Sequence, residues 1–135
     1  MSKTQNKSDD VTSLLPSQLT DMDYCYLTTV GRVTGKPHEI EIWFVAHEDA
    51  VYLMSGGMDR SDWVKNLLKE PLVTLRIAGQ TFAALASPLK GTPTEDMVRM
   101  KMALKYKEWE GQGPSKWART ALVVQFIPCP PAGAV

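Results

Sequence analysis

The sequence is poor in the features that would reveal a chemistry at once. It holds two cysteines and two histidines in 135 residues, too few for a disulfide framework or a zinc cluster. Pairing of Cys25 with Cys129 stays open, but two thiols in a chain long enough to build its own core fit a reducing compartment better. No uninterrupted apolar stretch approaches the ~18 residues that would cross a bilayer. Met1 to Asp10 is polar and lacks the apolar centre of a secretion signal. Lys+Arg and Asp+Glu both number 15, for a formal net charge of zero, and no basic run argues for nucleic acid or an anionic membrane surface. There is no Walker loop, no Ser/His/Asp order and no metal-ligand spacing. These absences leave a soluble, cytoplasmic protein of ordinary globular composition, 44% hydrophobic and 22% charged, read most economically as one domain.

What is present organises the chain into three parts. Residues 1–20 form a flexible N-terminal segment in which Leu14, Leu15 and Leu19 could make a short docking helix. Residues 21–128 form the folded domain, and residues 129–135 a Pro-rich tail. Tyr24 to Val30, dense in β-branched and aromatic residues, reads as a first strand. In His38 to Val45, Ile40 and Ile42 alternate with Glu39 and Glu41, which predicts a half-buried second strand with the acids on a solvated face. His47-Glu48-Asp49 turns into a third strand, Ala50 to Met54. Leu72 to Ile77 and Thr81 to Ala86 form a hairpin across Ala78-Gly79-Gln80, and Thr120 to Ile127 is the last strand.

Two helices interrupt these strands. A short one follows Ser55-Gly56-Gly57, with Asp59 or Ser61 as N-cap and with Trp63 and Leu67 packing onto the sheet. A longer one starts with Thr92 as N-cap, Pro93 in the first helical position and Glu95 completing a capping box, and runs to about Trp109. Val98, Met102, Tyr106 and Trp109 make its apolar stripe. The methionines between Met97 and Met102 have no Cys or His beside them and read as adaptable packing, not as a metal site. The sum is a mainly β (α+β) fold, a six-stranded antiparallel barrel with one short helix after strand 3 and a longer one before the last strand.

Two stretches carry chemistry. In Gly31-Arg32-Val33-Thr34-Gly35-Lys36-Pro37, two cations flank a glycine-containing turn whose backbone N–H groups could hold a phosphate, although an exposed hairpin turn explains the same residues. Ser55-Gly56-Gly57 leads into a helix N-terminus, where glycine permits close approach of a flat ligand or an anion, or simply the turn itself. His38 is a phosphate-binding or proton-handling candidate, or a surface residue at a strand start. Asn66 could bond the turn or a ligand.

Thr28-Thr29-Val30-Gly31-Arg32-Val33-Thr34-Gly35-Lys36-Pro37-His38, Trp43-Phe44, Ser55-Gly56-Gly57, Asp62-Trp63-Val64-Lys65-Asn66-Leu67 and Pro71-Leu72-Val73 occur in order, and Trp117-Ala118-Arg119-Thr120 precedes the last strand. Together they resemble the deazaflavin-dependent nitroreductase family of the split β-barrel flavin and deazaflavin oxidoreductase superfamily, which includes pyridoxamine-phosphate oxidases. The resemblance implies a split barrel, commonly a homodimer, that binds coenzyme F420 or alternatively FMN. It implies cofactor contacts from Arg32, Thr34, Gly35, Lys36, Pro37, His38, Ser55, Gly56, Gly57, Arg60, Trp63 and Asn66. Many relatives carry a lysine between the serine and the glycines and a basic residue where His38 stands. Their absence leaves the electrostatic grip mainly to Arg32 and Lys36.

The function so implied is hydride transfer from a deazaflavin or flavin to a small conjugated acceptor: a nitro compound, a quinone or an enone. No residue is singled out as catalytic, which suits chemistry carried by a cofactor. The competing reading is a non-catalytic module that holds a flat ligand as carrier, sensor or store.

Overall fold

The computed structural model describes residues 17–129. Residues 1–16, with Leu14 and Leu15, and tail residues 130–135 lie outside them. Helix α1 (Ser17–Thr20) leads into strand β1 (Cys25–Val30), followed by β2 (Pro37–Ile42), β3 (Val45–His47) and β4 (Ala50–Ser55). A 3₁₀ turn (Met58–Arg60) and helix α2 (Asp62–Lys69) precede the hairpin β5 (Leu72–Ile77) and β6 (Gln80–Leu89). Helix α3 (Pro93–Tyr106), the short pair β7 (Trp109–Glu110) and β8 (Gly113–Pro114), helix α4 (Lys116–Thr120) and β9 (Leu122–Pro128) complete the chain.

Seven strands form one antiparallel sheet in the order β2-β1-β5-β6-β9-β4-β3. Its two edges, β2 and β3, are joined by Trp43 and Phe44 alone, so the sheet must curl until its ends meet. That is the geometry of a split barrel. The strand count is seven, not six, because the expected second strand breaks in two. The cause lies on α3: Tyr106 Oη accepts the Phe44 N–H at 3.0 Å, Lys105 Nζ donates to the Phe44 carbonyl at 2.9 Å, and Trp43 stacks on Tyr106 with ring centroids 4.2 Å apart. The backbone at this corner is satisfied by helix side chains and leaves the ladder.

Alternation decides which residues fill the barrel. Cys25, Leu27, Leu53, Leu75, Phe126 and the corner residue Phe44 are fully enclosed, and α2 closes one end with Val64 and Leu67. Each large side chain withdrawn from water in this way contributes about 1.5–3 kcal/mol. Trp63 packs against the same cluster. Helix α3 lays Val98 and Met102 on the outer face of β4 and β9, over Tyr52, Met54 and Val123. Leu19 of α1 also joins the barrel core.

Helix α3 starts as expected: Thr92 Oγ1 accepts the Glu95 N–H at 3.3 Å, with Pro93 in the first turn. It stops at Tyr106 and not near Trp109, because Lys107 takes a left-handed conformation at φ 56°. Trp109–Glu110 then pairs with Gly113–Pro114 across Gly111, and the Ser115 N–H donates to Glu108 O at 2.9 Å. Gly111 to Pro114 thus belongs to a small hairpin, and Trp117 to Thr120 is helical.

Candidate functional site

The loop after β1 is closed by two short backbone bonds, from the Gly31 N–H to Lys36 O at 2.7 Å and from the Gly35 N–H to Gly31 O at 2.8 Å. Gly35 sits at φ 74°, a left-handed value that favours glycine. Gly31 has a different reason. A Cβ there would stand 2.7 Å from His38 Nε2 and 3.1 Å from Lys36 O, so the glycine makes room for the imidazole at the second position of β2. Thr34 Oγ1 accepts the Lys36 N–H at 3.2 Å and tightens the tip.

Helix α2 supplies the opposite wall. Asn66, 5% exposed, donates from Nδ2 to Thr29 Oγ1 at 3.0 Å. Its Oδ1 accepts from Arg32 Nη1 at 2.8 Å and from the Arg32 backbone N–H at 3.1 Å. Asp62 completes the hold on the guanidinium through its backbone oxygen, 3.4 Å from Nη1, and its carboxylate, 3.1 Å from Nη2. Lys69 Nζ donates to Arg32 O at 2.9 Å. Ser61, the N-cap of α2, makes no side-chain capping bond; its hydroxyl lies 2.6 Å from Ser55 Oγ.

Between loop and helix lies a cleft of about 420 Å³. Of the residues singled out from sequence, it brings together Arg32, Thr34, His38, Trp63 and Asn66, and it adds Thr29, Gly31, Val33, Glu39, Ile40 and Asp62. Gly35 borders an adjoining hollow of about 400 Å³ that Arg32, Thr34 and Lys69 also line. Lys36 and Pro37 are exposed on the same loop but outside the cleft lining. Thr29 was legible in the alternation of β1, which places it on the barrel face with Cys25 and Leu27. Asp62 carried no such signal, since it meets Arg32 across 30 residues of chain.

Ser55, Gly56, Gly57 and Arg60 do not line this cleft. Ser55 is 2% exposed, and its hydroxyl donates to Met58 O at 2.8 Å. A Cβ on Gly57 would stand 2.6 Å from Ser61 Oγ, and one on Gly56 would stand 3.1 Å from Trp117 Cδ1. Both glycines therefore serve close packing in this turn. Arg60 is exposed at the end of the 3₁₀ turn.

Trp117 belongs to an aromatic group with Trp43 and Tyr106, its ring edge-on to Trp43 with centroids 5.6 Å apart. The Tyr106 hydroxyl lies 2.8 Å from both Asp23 O and Phe44 O, and burial pushes its pKa up to about 12. Burial also raises the Cys25 thiol to about 12 and lowers the Lys105 ammonium, whose charge sits 3.9 Å above the Phe44 ring. Cys25 and Cys129 are both free thiols. Tyr106, Lys105 and Trp117 hold the corner at Trp43 and Phe44 together, as the apolar stripe had suggested for Tyr106.

Glu39 and Glu41 lie on the outer face of β2, where they meet Arg76 at 3.2 Å and the Tyr26 hydroxyl at 2.7 Å. Among the described residues, no group of three or more His, Cys, Asp or Glu side chains could hold a metal ion. No described helix is long and apolar enough to cross a membrane.

A family model described as F420H(2)-dependent quinone reductase matches residues 3–117. No curated protein matches the chain. Among solved structures, the fold is similar to an F420 reductase, with TM-score 0.60 and 15% identity over 86% of this chain and 97% of that one. It is also similar to a protein from Listeria innocua proposed to be a pyridoxamine 5′-phosphate oxidase, with TM-score 0.65 and 17% identity over 83% and 88%. A FAD-binding protein from Mesorhizobium loti gives TM-score 0.60 and 14% identity over 83% and 85%. At such identities the likeness carries the fold alone.

Proposed function

Because the chain belongs to the F420H(2)-dependent quinone reductase family, it is an oxidoreductase with coenzyme F420 as its cofactor, and we propose that the Arg32 cleft binds that cofactor for hydride transfer to a quinone-type acceptor. The observation that carries this reading is Arg32 itself, a guanidinium that lines the cleft, fixed at one edge by buried Asn66 and held at the other only by the exposed carboxylate of Asp62.

The donor set suits the cofactor's phosphate-bearing tail. Arg32 offers a planar, permanently charged donor, Lys36 stands on the same closed loop, and His38 follows it at the start of β2. Asp62 and Trp63, in the first turn of α2, line the cleft, and N–H groups at a helix N-terminus favour an anion. Trp63 and Ile40 supply apolar surface for a flat ring. Bound F420H(2) supplies the hydride; the chain's own residues bind, orient and shield from water. Thr34, Gly35 and Pro37 shape the loop, and Ser55, Gly56, Gly57 and Arg60 build the turn beneath α2.

Nitro compounds and enones share with quinones a conjugated, electron-poor system, so they belong to the proposed acceptor range. The implied second copy of the chain has a surface to suit it: Leu72 pairs with Leu85, and Leu85 with Ile127, in a row across β5, β6 and β9. All three are about half exposed.

Titration of the purified protein into F420 should change the ligand's fluorescence, and changing Arg32 and Lys36 together to Gln should weaken binding about tenfold or more with the melting temperature nearly unmoved. No response from the wild-type protein would end the cofactor reading. Mixing bound F420H(2) with quinones should return oxidised F420. Binding without oxidation by any quinone, nitro compound or enone would overturn the acceptor proposal in favour of a carrier or sensor.

A further inference from the structure

Arg32 already has an anion. Its Nη2 lies 3.1 Å from Asp62 Oδ1, with side chains 31% and 87% exposed respectively. The two edges of the guanidinium differ in kind. Nη1 is committed to Asn66, which is buried and fixed in turn by Thr29. Nη2 is held by a carboxylate that has no other partner among the described residues and is open to solvent.

We propose that Asp62 is a built-in competitor for the cofactor's anionic tail, so that binding at Arg32 is an exchange in which a phosphate displaces the Asp62 carboxylate into water. This rests on the reading of the Arg32 cleft as the cofactor site. Asp62 is also the first residue of α2, where its negative charge offsets the partial positive charge of the helix terminus. One side chain thus cancels both features that draw anions to the cleft. The exchange costs little, because an exposed ion pair is weak and its carboxylate regains full hydration. It also discriminates. A phosphate of the tail offers the guanidinium two oxygens where Asp62 gives it one carboxylate oxygen, whereas a monocarboxylate only matches the side chain already there and gains nothing by replacing it. The device holds Arg32 in its binding orientation when no ligand is present and rejects weak anions.

The test is a set of F420 fluorescence titrations of wild type, Asp62→Asn, Arg32→Gln and the double variant, at low and at high salt, with melting temperatures recorded to confirm folding. Asp62→Asn should bind about threefold more tightly, the fold-change equivalent of an exposed ion pair. The gain should shrink as salt screens the competing charge and vanish in the Arg32→Gln background. Inhibition of F420 binding by acetate should be stronger in Asp62→Asn than in wild type. If Arg32→Gln leaves affinity unchanged, the reading of the site fails. If Arg32→Gln weakens binding but Asp62→Asn does not strengthen it, the competitor role is overturned and the site stands. An equal gain from Asp62→Asn with and without Arg32 would likewise overturn exchange at the guanidinium, leaving only general repulsion.

Discussion

The side-chain oxygen of Asn66 accepts two bonds from Arg32, one from the backbone N–H at 3.1 Å and one from Nη1 at 2.8 Å. One buried atom therefore fixes both the path of the loop and the aim of its cation. Asn66 Nδ2 meanwhile donates to Thr29 on the barrel wall, so loop, helix and sheet meet at a single amide.

Asn66→Ala should cost about 1–3 kcal/mol, the penalty of removing one partner from buried polar groups, seen as a melting temperature lower by several degrees. F420 affinity should fall as well, because Arg32 loses its fixed edge. Asn66→Asp separates the two effects. It keeps an acceptor for Arg32 but has no donor for Thr29, so it should retain more affinity than Asn66→Ala. Equal affinities for the two variants would mean that the bonds to Arg32 do not orient it.

Gly31→Ala tests the contact with His38. The added methyl would stand 2.7 Å from Nε2, so the imidazole must rotate away or the loop must open, at a cost of about 1–3 kcal/mol. In a His38→Ala background the nearest remaining atom is Lys36 O at 3.1 Å, and the same substitution should cost less. A double-mutant cycle by thermal or urea unfolding measures the difference, and perfect additivity would show that the ring does not press on Gly31.

How much of this was legible in the sequence depended on range. Alternation of Ile40 and Ile42 with Glu39 and Glu41 placed β2 correctly, and the Thr92-Pro93-Thr94-Glu95 start of α3 was correct because capping is local. The break of the second strand was not visible, because it depends on Tyr106 and Lys105 reaching Phe44 from 62 and 61 residues away. The site divided in the same way. Motif resemblance singled out Arg32, His38, Trp63 and Asn66, which the fold brings to one cleft, while Asp62 emerged only once α2 was packed against the loop. The Ser55-Gly56-Gly57 turn carried identical composition for ligand approach and for tight packing, and sequence could not divide them.

Stability should fall on the alkaline side. Cys25 is raised from an ordinary 9.0 to about 12 and Tyr106 from 10.0 to about 12, so the folded state holds both protons more tightly than the unfolded chain. The stabilisation is fully present below pH 9 and is lost as pH climbs toward 12. Lys105, lowered by burial, acts in the opposite sense and offsets part of the loss. Melting temperatures measured from pH 8 to 11 should decline, and Cys25→Ala should flatten the slope above pH 9. A variant with an unchanged slope would remove Cys25 from the account.

Association should depend on the outer face of β5, β6 and β9. Helix α3 covers the part of that face over β4 and the start of β9, through Tyr52, Met54 and Val123, and leaves Leu72, Leu85 and Ile127 uncovered at 49%, 52% and 50% exposure. A row that crosses strands at matched register can pair with its own copy about a two-fold axis, and zero net charge sets no long-range repulsion against it. Light scattering should give the mass of two chains for the wild type and of one for Leu85→Asp. Because Leu85 is half exposed, its replacement should cost the isolated chain well under the ~2–5 kcal/mol of a core truncation, so the variant remains folded and the mass change reports association. A wild-type monomer across a wide concentration range would show that this row is not covered by a second copy.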